Sequence, residues 1–221
     1  MAQTISEKLK VHTVYKNKDG IRIPSVTTFL GVLDKPALLK WAWQCGIDGI
    51  DYEKMRDNAA DIGTLAHYLI MCHLAKEEAD ISEYSPADVE KAQTCIEKYM
   101  EWERGHDVVP LMLEEPLISE NYQYGGTIDF YGLIDAVPCL MDFKTSKGIY
   151  DEAIHQVSAY HQLLQENGHI IEQARILRIG KNPEEGFEER GIEVSRLDLH
   201  FEMFLTCKKV YDLRKLLKKG G

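Results

Sequence analysis

Two aspartates set inside apolar runs are the first residues that could do chemistry. Asp129 lies in TIDFYGLI (127–134) and Asp142 in PCLMDFKT (138–145). A carboxylate among apolar neighbours is costly unless something compensates it. Lys144 follows Asp142 by one intervening residue, so on a strand the two share a face and Phe143 points to the other. A salt bridge alone would be a poor reason to place charges beside Cys139-Leu140-Met141. The short link Asp135-Ala136-Val137 makes the two runs an antiparallel hairpin, with Asp135 as a turn residue. Across it Asp129 and Asp142 can meet on one face, where two carboxylates repel unless a proton or cation intervenes. A hard divalent cation such as Mg²⁺ answers that need with oxygen ligands. It would neutralise charge on a phosphoryl oxygen, with Lys144 as a fixed positive charge beside it. Gln156 and Tyr160 follow on the inward face of a helix built from Ala153, Val157, Leu163 and Leu164. Inward polar groups need partners, either the core or the site.

The elements that must position these residues can be read on either side. VVPLMLEEPLIS (108–119) is a further strand, in which only one of Glu114 and Glu115 can face the core side, the other being solvated. Upstream the chain is mostly helical. Residues 11–23 suggest a small hairpin turning at Lys18-Asp19-Gly20. Ser25 caps a short helix, and a second carries Leu38, Leu39, Trp41 and Ala42. Trp41 and Trp43 are expected to be packing residues. Residues 61–76 form a helix with His67 on its apolar face, above Ile70, Met71 and Leu74. By itself that pattern suits a core histidine, with His73 at the boundary. Ser85-Pro86 starts a helix that runs to about Arg104 with Ala92, Cys95, Ile96, Tyr99 and Trp102 inward. Downstream, strands are expected at 174–180 and 191–197, joined by the acidic NPEEGFEER, then a helix from about Asp198 whose basic end complements its dipole.

The 221 residues suit one domain: 1–106 mostly helical, 107–200 a sheet core carrying the site, and 198–219 a C-terminal helix. A net charge of −10 argues against a simple electrostatic coat on nucleic acid. Cys45, Cys72, Cys95, Cys139 and Cys207 are far apart and form no CxxC pair, which suits reduced thiols in a cytoplasmic protein. No apolar run is long enough to span a membrane, and the first twenty residues lack the apolar core of a signal peptide.

Five short motifs stand in order: G-T-x-x-H (63–67), Glu114, G-T-I-D (126–129), D-F-K-T-S-K (142–147) and Q-x-x-x-Y (156–160). Together they resemble the PD-(D/E)XK nuclease superfamily. They are most similar to its RecB-like exonuclease branch, to which many phage exonucleases belong. Pro24-Ser25-Val26-Thr27 and the K-P-x-L-x-x-W segment at Lys35–Trp41 resemble that branch too, so the likeness spans about residues 22 to 165. It implies an α/β, restriction-endonuclease-like core: a mixed central β-sheet flanked by helices, with an N-terminal helical part. It implies Mg²⁺ or Mn²⁺ held by His67, Asp129, Asp142 and the Phe143 carbonyl, with Glu114 as a possible further acid. Lys144 would be catalytic, supported by Gln156 and Tyr160. The substrate implied is DNA, as single strands or ends, with a recombination protein as a possible partner. An endonuclease on the same fold and an inactive nucleic-acid-binding protein are the alternatives. Relatives with an iron–sulfur cluster carry four cysteines around the core; only Cys207 follows it here, so no cluster is expected.

Overall fold

A computed structural model describes residues 4–5 and 13–219. Five strands form one sheet in the order β1-β2-β3-β4-β5: β1 (Val108–Ser119), β2 (Tyr124–Ile134), β3 (Val137–Lys144), β4 (Gln173–Ile179) and β5 (Phe187–Ile192). All neighbours are antiparallel except β3 and β4, which run parallel. A parallel pair needs a crossover, and α5 (Asp151–Glu166) supplies it. The mixed, helix-flanked sheet expected from the sequence is therefore the fold observed.

The two sheet faces carry different helices. One core gathers Tyr131, Leu140 and Ile176 of the sheet with α1 (Val26–Leu30), α5 and α6 (Val194–Lys219). The other gathers Phe130, Met141, Phe143 and Leu177 with α3 (Tyr52–Ala75) and α4 (Pro86–Glu103). Alternation along β3 explains the division, since Leu140 and Met141 enter opposite cores. α2 (Pro36–Ile47) stands apart, with only Cys45 buried.

Capping follows the sequence closely. Ser25, Asp51 and Ser85 accept the N–H of Thr28, Lys54 and Asp88 and so start α1, α3 and α4. The β2–β3 hairpin turns on Asp135 and Ala136 alone, both with positive φ (53° and 66°), as a tight two-residue turn requires. Asp135 steadies it by accepting from the Asp107 N–H at 2.9 Å and pairing with His106 Nδ1 at 2.7 Å. Of the early hairpin, residues 11 and 12 lie outside the described residues; the remainder closes with a Lys16–Arg22 bridge.

Several expectations need correction. α3 begins at Tyr52, well before residue 61, because a polar first half (YEKMRDNAAD) hides its periodicity. The strand expected at 191–197 lies instead at Phe187–Ile192, since a 3₁₀ turn at Pro183–Glu185 brings the chain back earlier. Val194 to Leu197 are then the first turn of α6, with Leu197 and Phe204 buried at helical spacing. Trp43 is 64% exposed and is not a packing residue. Trp41 packs edge-on against Tyr52, and a residue two positions along a helix points to the opposite side. Glu115 is half-buried rather than fully solvated.

Candidate active site

Strand register builds the site. Leu113 pairs with Phe130 and Glu115 with Ile128, which sets Glu114 opposite Asp129. Phe130 pairs with Met141, which sets Asp129 opposite Asp142. Three carboxylates thus form a row across β1, β2 and β3, and Lys144 lies two residues beyond Asp142. Glu114 has φ 48°, a left-handed conformation uncommon for a residue with a side chain. Such strain persists where surroundings enforce it, and here it sits on a buried acid facing other acids.

α3 adds the fourth group. The Nε2 of His67 lies 2.8 Å from the Phe143 carbonyl oxygen, so that nitrogen donates. Nδ1 is turned to Asp129 Oδ2 (3.9 Å) and Glu114 Oε1 (4.0 Å). The ring also rests edge-on against Phe143, which Tyr99 covers from α4. The residue between the two charged side chains of β3 is therefore what anchors the strand to both helices.

His67, Glu114 and Asp129 each offer one donor atom, and these atoms all lie within 4.8 Å of one another. Two carboxylate oxygens and an imidazole nitrogen this close fit a divalent cation. Asp142 is placed beside this trio and engaged elsewhere: Lys144 Nζ pairs with its Oδ2 at 2.7 Å. Apart from that ion pair its two buried oxygens find no hydrogen-bond partner. The Phe143 carbonyl serves His67, and the Phe143 N–H donates to Asp129 Oδ2 at 3.0 Å.

The electrostatics follow from burial and mutual pairing. Burial opposes charging of His67, but Asp129 and Glu114 outweigh it and raise its pKa to about 9. Burial raises Asp142 to about 6 against the pull of Lys144. Burial raises Asp129 as well, against the pull of His67. Burial lowers Lys144 while Asp142 and Asp129 raise it, and the net shift is upward. The lysine is therefore an ammonium at neutral pH. Tyr160 rises well above its ordinary value through burial, then Asp129 and Asp142, so its hydroxyl stays protonated near the acids. Gln156 Nε2 donates to that hydroxyl at 2.7 Å.

No protein-family model matches the chain, and no curated protein does. Among solved structures it is similar to LHK-Exo, an alkaline exonuclease from Laribacter hongkongensis. The identity is 15%, the TM-score 0.34, and 74% of this chain and 92% of that one are covered. The same exonuclease in complex with dAMP gives 13% identity and the same TM-score and coverage. SSO0001 gives 14% identity and a TM-score of 0.38 over 91% of this chain and 83% of that one. Likeness this distant carries no inference about chemistry, which rests on the side chains described above.

Two contacts beside the site are not visible in the sequence. The Tyr15 side chain lies against Gly125, where a Cβ would stand 2.2 Å from its Cγ. Its hydroxyl pairs with Thr127 Oγ1 at 2.8 Å and feels Glu114. Thr145 is the second: a Cβ on Gly63 would stand 2.7 Å from its Oγ1. The paired glycines at 125–126 and the glycine of G-T-x-x-H were the available signals, since a glycine marks close approach of backbone and side chain. Neither names its partner.

Proposed function

We propose that the protein is a Mg²⁺- or Mn²⁺-dependent deoxyribonuclease that hydrolyses phosphodiester bonds, acting as an exonuclease on single strands or DNA ends. The observation that carries this reading is the convergence of His67, Glu114 and Asp129 next to the Lys144–Asp142 pair. His67, Glu114 and Asp129 would hold the metal, with Asp142 at its side. When bound, the metal supplies positive charge against the phosphoryl oxygens.

The chain's own groups account for the remainder. Hydrolysis joins a water oxygen to phosphorus, breaks the bond to the leaving oxygen and transfers a proton to it. Lys144, held as an ammonium by Asp142, donates to a phosphoryl oxygen as charge builds there and fixes the approach of the water. Asp142 keeps the ammonium aimed through its Oδ2 contact at 2.7 Å. Gln156 and Tyr160 support the lysine and the DNA backbone through the neutral tyrosine hydroxyl. Replacing Lys144 with alanine is expected to lower cleavage of linear DNA in Mg²⁺ or Mn²⁺ by at least about 100-fold. Full activity in that variant would refute the mechanism.

A further inference from the structure

Outside the active site, two histidine side chains meet between α5 and α6. His155 Nδ1 and His200 Nδ1 are 3.0 Å apart, with ring centroids at 5.1 Å and planes inclined by 42°. Both residues are half-exposed, so an ion can reach them. We propose that His155 and His200 form a second metal site, selective for a divalent transition ion of tetragonal preference such as Cu²⁺ or Ni²⁺.

The spacing is compatible with two nitrogens on one ion. Two imidazole nitrogens each about 2.05 Å from one ion stand about 2.9 Å apart at a right-angled bite. At a tetrahedral angle they stand about 3.3 Å apart. The observed 3.0 Å lies near the right-angled bite and is equally the length of an N–H···N hydrogen bond, so the two accounts share a distance and differ in whether a proton or an ion lies between the nitrogens. A pair of imidazoles also favours borderline ions over Mg²⁺, which prefers oxygen. The surroundings favour occupancy: burial and the neighbouring His200 hold His155 neutral, while Asp151 and Glu152 one turn earlier supply negative charge. The nearby Lys35 ammonium is taken up by Glu152 at 3.0 Å. Water fills the remaining positions, as at any site with two protein ligands. Such an ion would tie α6 to the helix that presents Gln156 and Tyr160, so it would stiffen one wall of the active site. The competing account is a hydrogen-bonded pair only, with one Nδ1–H donating to the other nitrogen.

The test is Cu²⁺ electron paramagnetic resonance and Ni²⁺ thermal unfolding on the full, untagged chain. With one equivalent of Cu²⁺, wild type should show hyperfine structure from two imidazole nitrogens. That pattern should vanish in His200→Gln and in His155→Gln, and persist in Asp129→Asn. Ni²⁺ at about 100 times its dissociation constant should raise the wild-type midpoint by several degrees, and neither histidine variant should follow. Two variants on different helices guard against a folding defect in one, and Asp129→Asn separates this site from the one on which the proposed hydrolysis depends. An unchanged spectrum in both histidine variants, or no Cu²⁺ signal beyond the one that Asp129→Asn removes, overturns the proposal.

Discussion

Gly63 and Thr145 show how narrowly the site is seated. They join α3, which brings His67, to the end of β3, which brings Lys144. A methyl group on Gly63 would fall 2.7 Å from Thr145 Oγ1 but 4.0 Å from Thr145 Cβ. The clash is therefore with the hydroxyl alone. Gly63→Ala is expected to cost about 1–3 kcal/mol of stability and to lower cleavage by separating His67 from β3. Adding Thr145→Ala should restore most of both, because it removes the obstructing oxygen. Thermal unfolding and initial rates on the four members of the cycle check this; strict additivity would show that the two residues are not in conflict.

The residues that carry charge were legible in the sequence for a physical reason. Asp129, Asp142 and Lys144 interrupt apolar strands, and an interruption of that kind is visible without coordinates. His67 was different. Its helix face suits a core position as well as a ligand, and only the ordered motifs tipped the balance. Pattern favours Glu114 over Glu115 as the acid, and the strand register places Glu114 opposite Asp129.

At the scale of elements, legibility followed periodicity. β1, β2 and β3 stand out as apolar runs and α5 as a helical repeat, and all four lie where those signals put them. The first turns of α3 and the β5–α6 boundary do not, because polar stretches there carry no periodic signal. The arm that bears Tyr15 was illegible for a further reason: its contact with Gly125 joins segments over a hundred residues apart. That contact predicts an element-level phenotype. Gly125→Ala should unseat the arm, whose Pro24 carbonyl accepts the Gly125 N–H at 3.0 Å. Tyr15→Phe should leave it seated and remove only the hydroxyl. Limited proteolysis should therefore cut the arm faster in Gly125→Ala than in Tyr15→Phe. Equal cutting would separate the ring from arm docking.

The α5–α6 interface makes a pH prediction of its own. Burial depresses the His161 imidazole, which faces Asp198. Burial also depresses His155, which faces His200, Asp151 and Glu152. Below the ordinary histidine pKa of about 6.5 the unfolded chain binds protons that these two groups refuse in the fold. Their contribution is present above about pH 6.5 and is lost as pH falls toward the depressed folded values. Asp142 acts oppositely, because its folded pKa of about 6 lets the native state take up a proton first. The two are separable by difference. His161→Gln should flatten the acid-side fall in stability between pH 6.5 and 5, by at most about 1.4 kcal/mol per pH unit. Urea unfolding across that range measures it, and parallel curves for the two proteins would exclude His161 as a source.

The whole molecule carries a net charge of −10, and a DNA-degrading reading must answer for that. Long-range attraction between this chain and a phosphate backbone is unfavourable, so affinity has to arise locally. Within the proposed site, the row of Glu114, Asp129 and Asp142 is opposed by His67 and Lys144. A phosphate brought to the site has to come close to those acids. A divalent cation among them reverses the sign of the field at the one place where the backbone must come closest. DNA binding itself, and not cleavage alone, should then depend on the metal. The Lys144→Ala variant permits the measurement, because it is expected to bind without consuming the substrate. Its affinity for a labelled single-stranded oligonucleotide should rise at least about tenfold on adding millimolar Mn²⁺ and return to its starting value with EDTA, worth about 1.4 kcal/mol. An affinity indifferent to the metal would place the DNA-binding surface away from the acid row. The same preparation of wild type, offered linear and circular single strands together, separates the two modes of cutting. An exonuclease needs an end, so the circle should survive while the linear strand disappears.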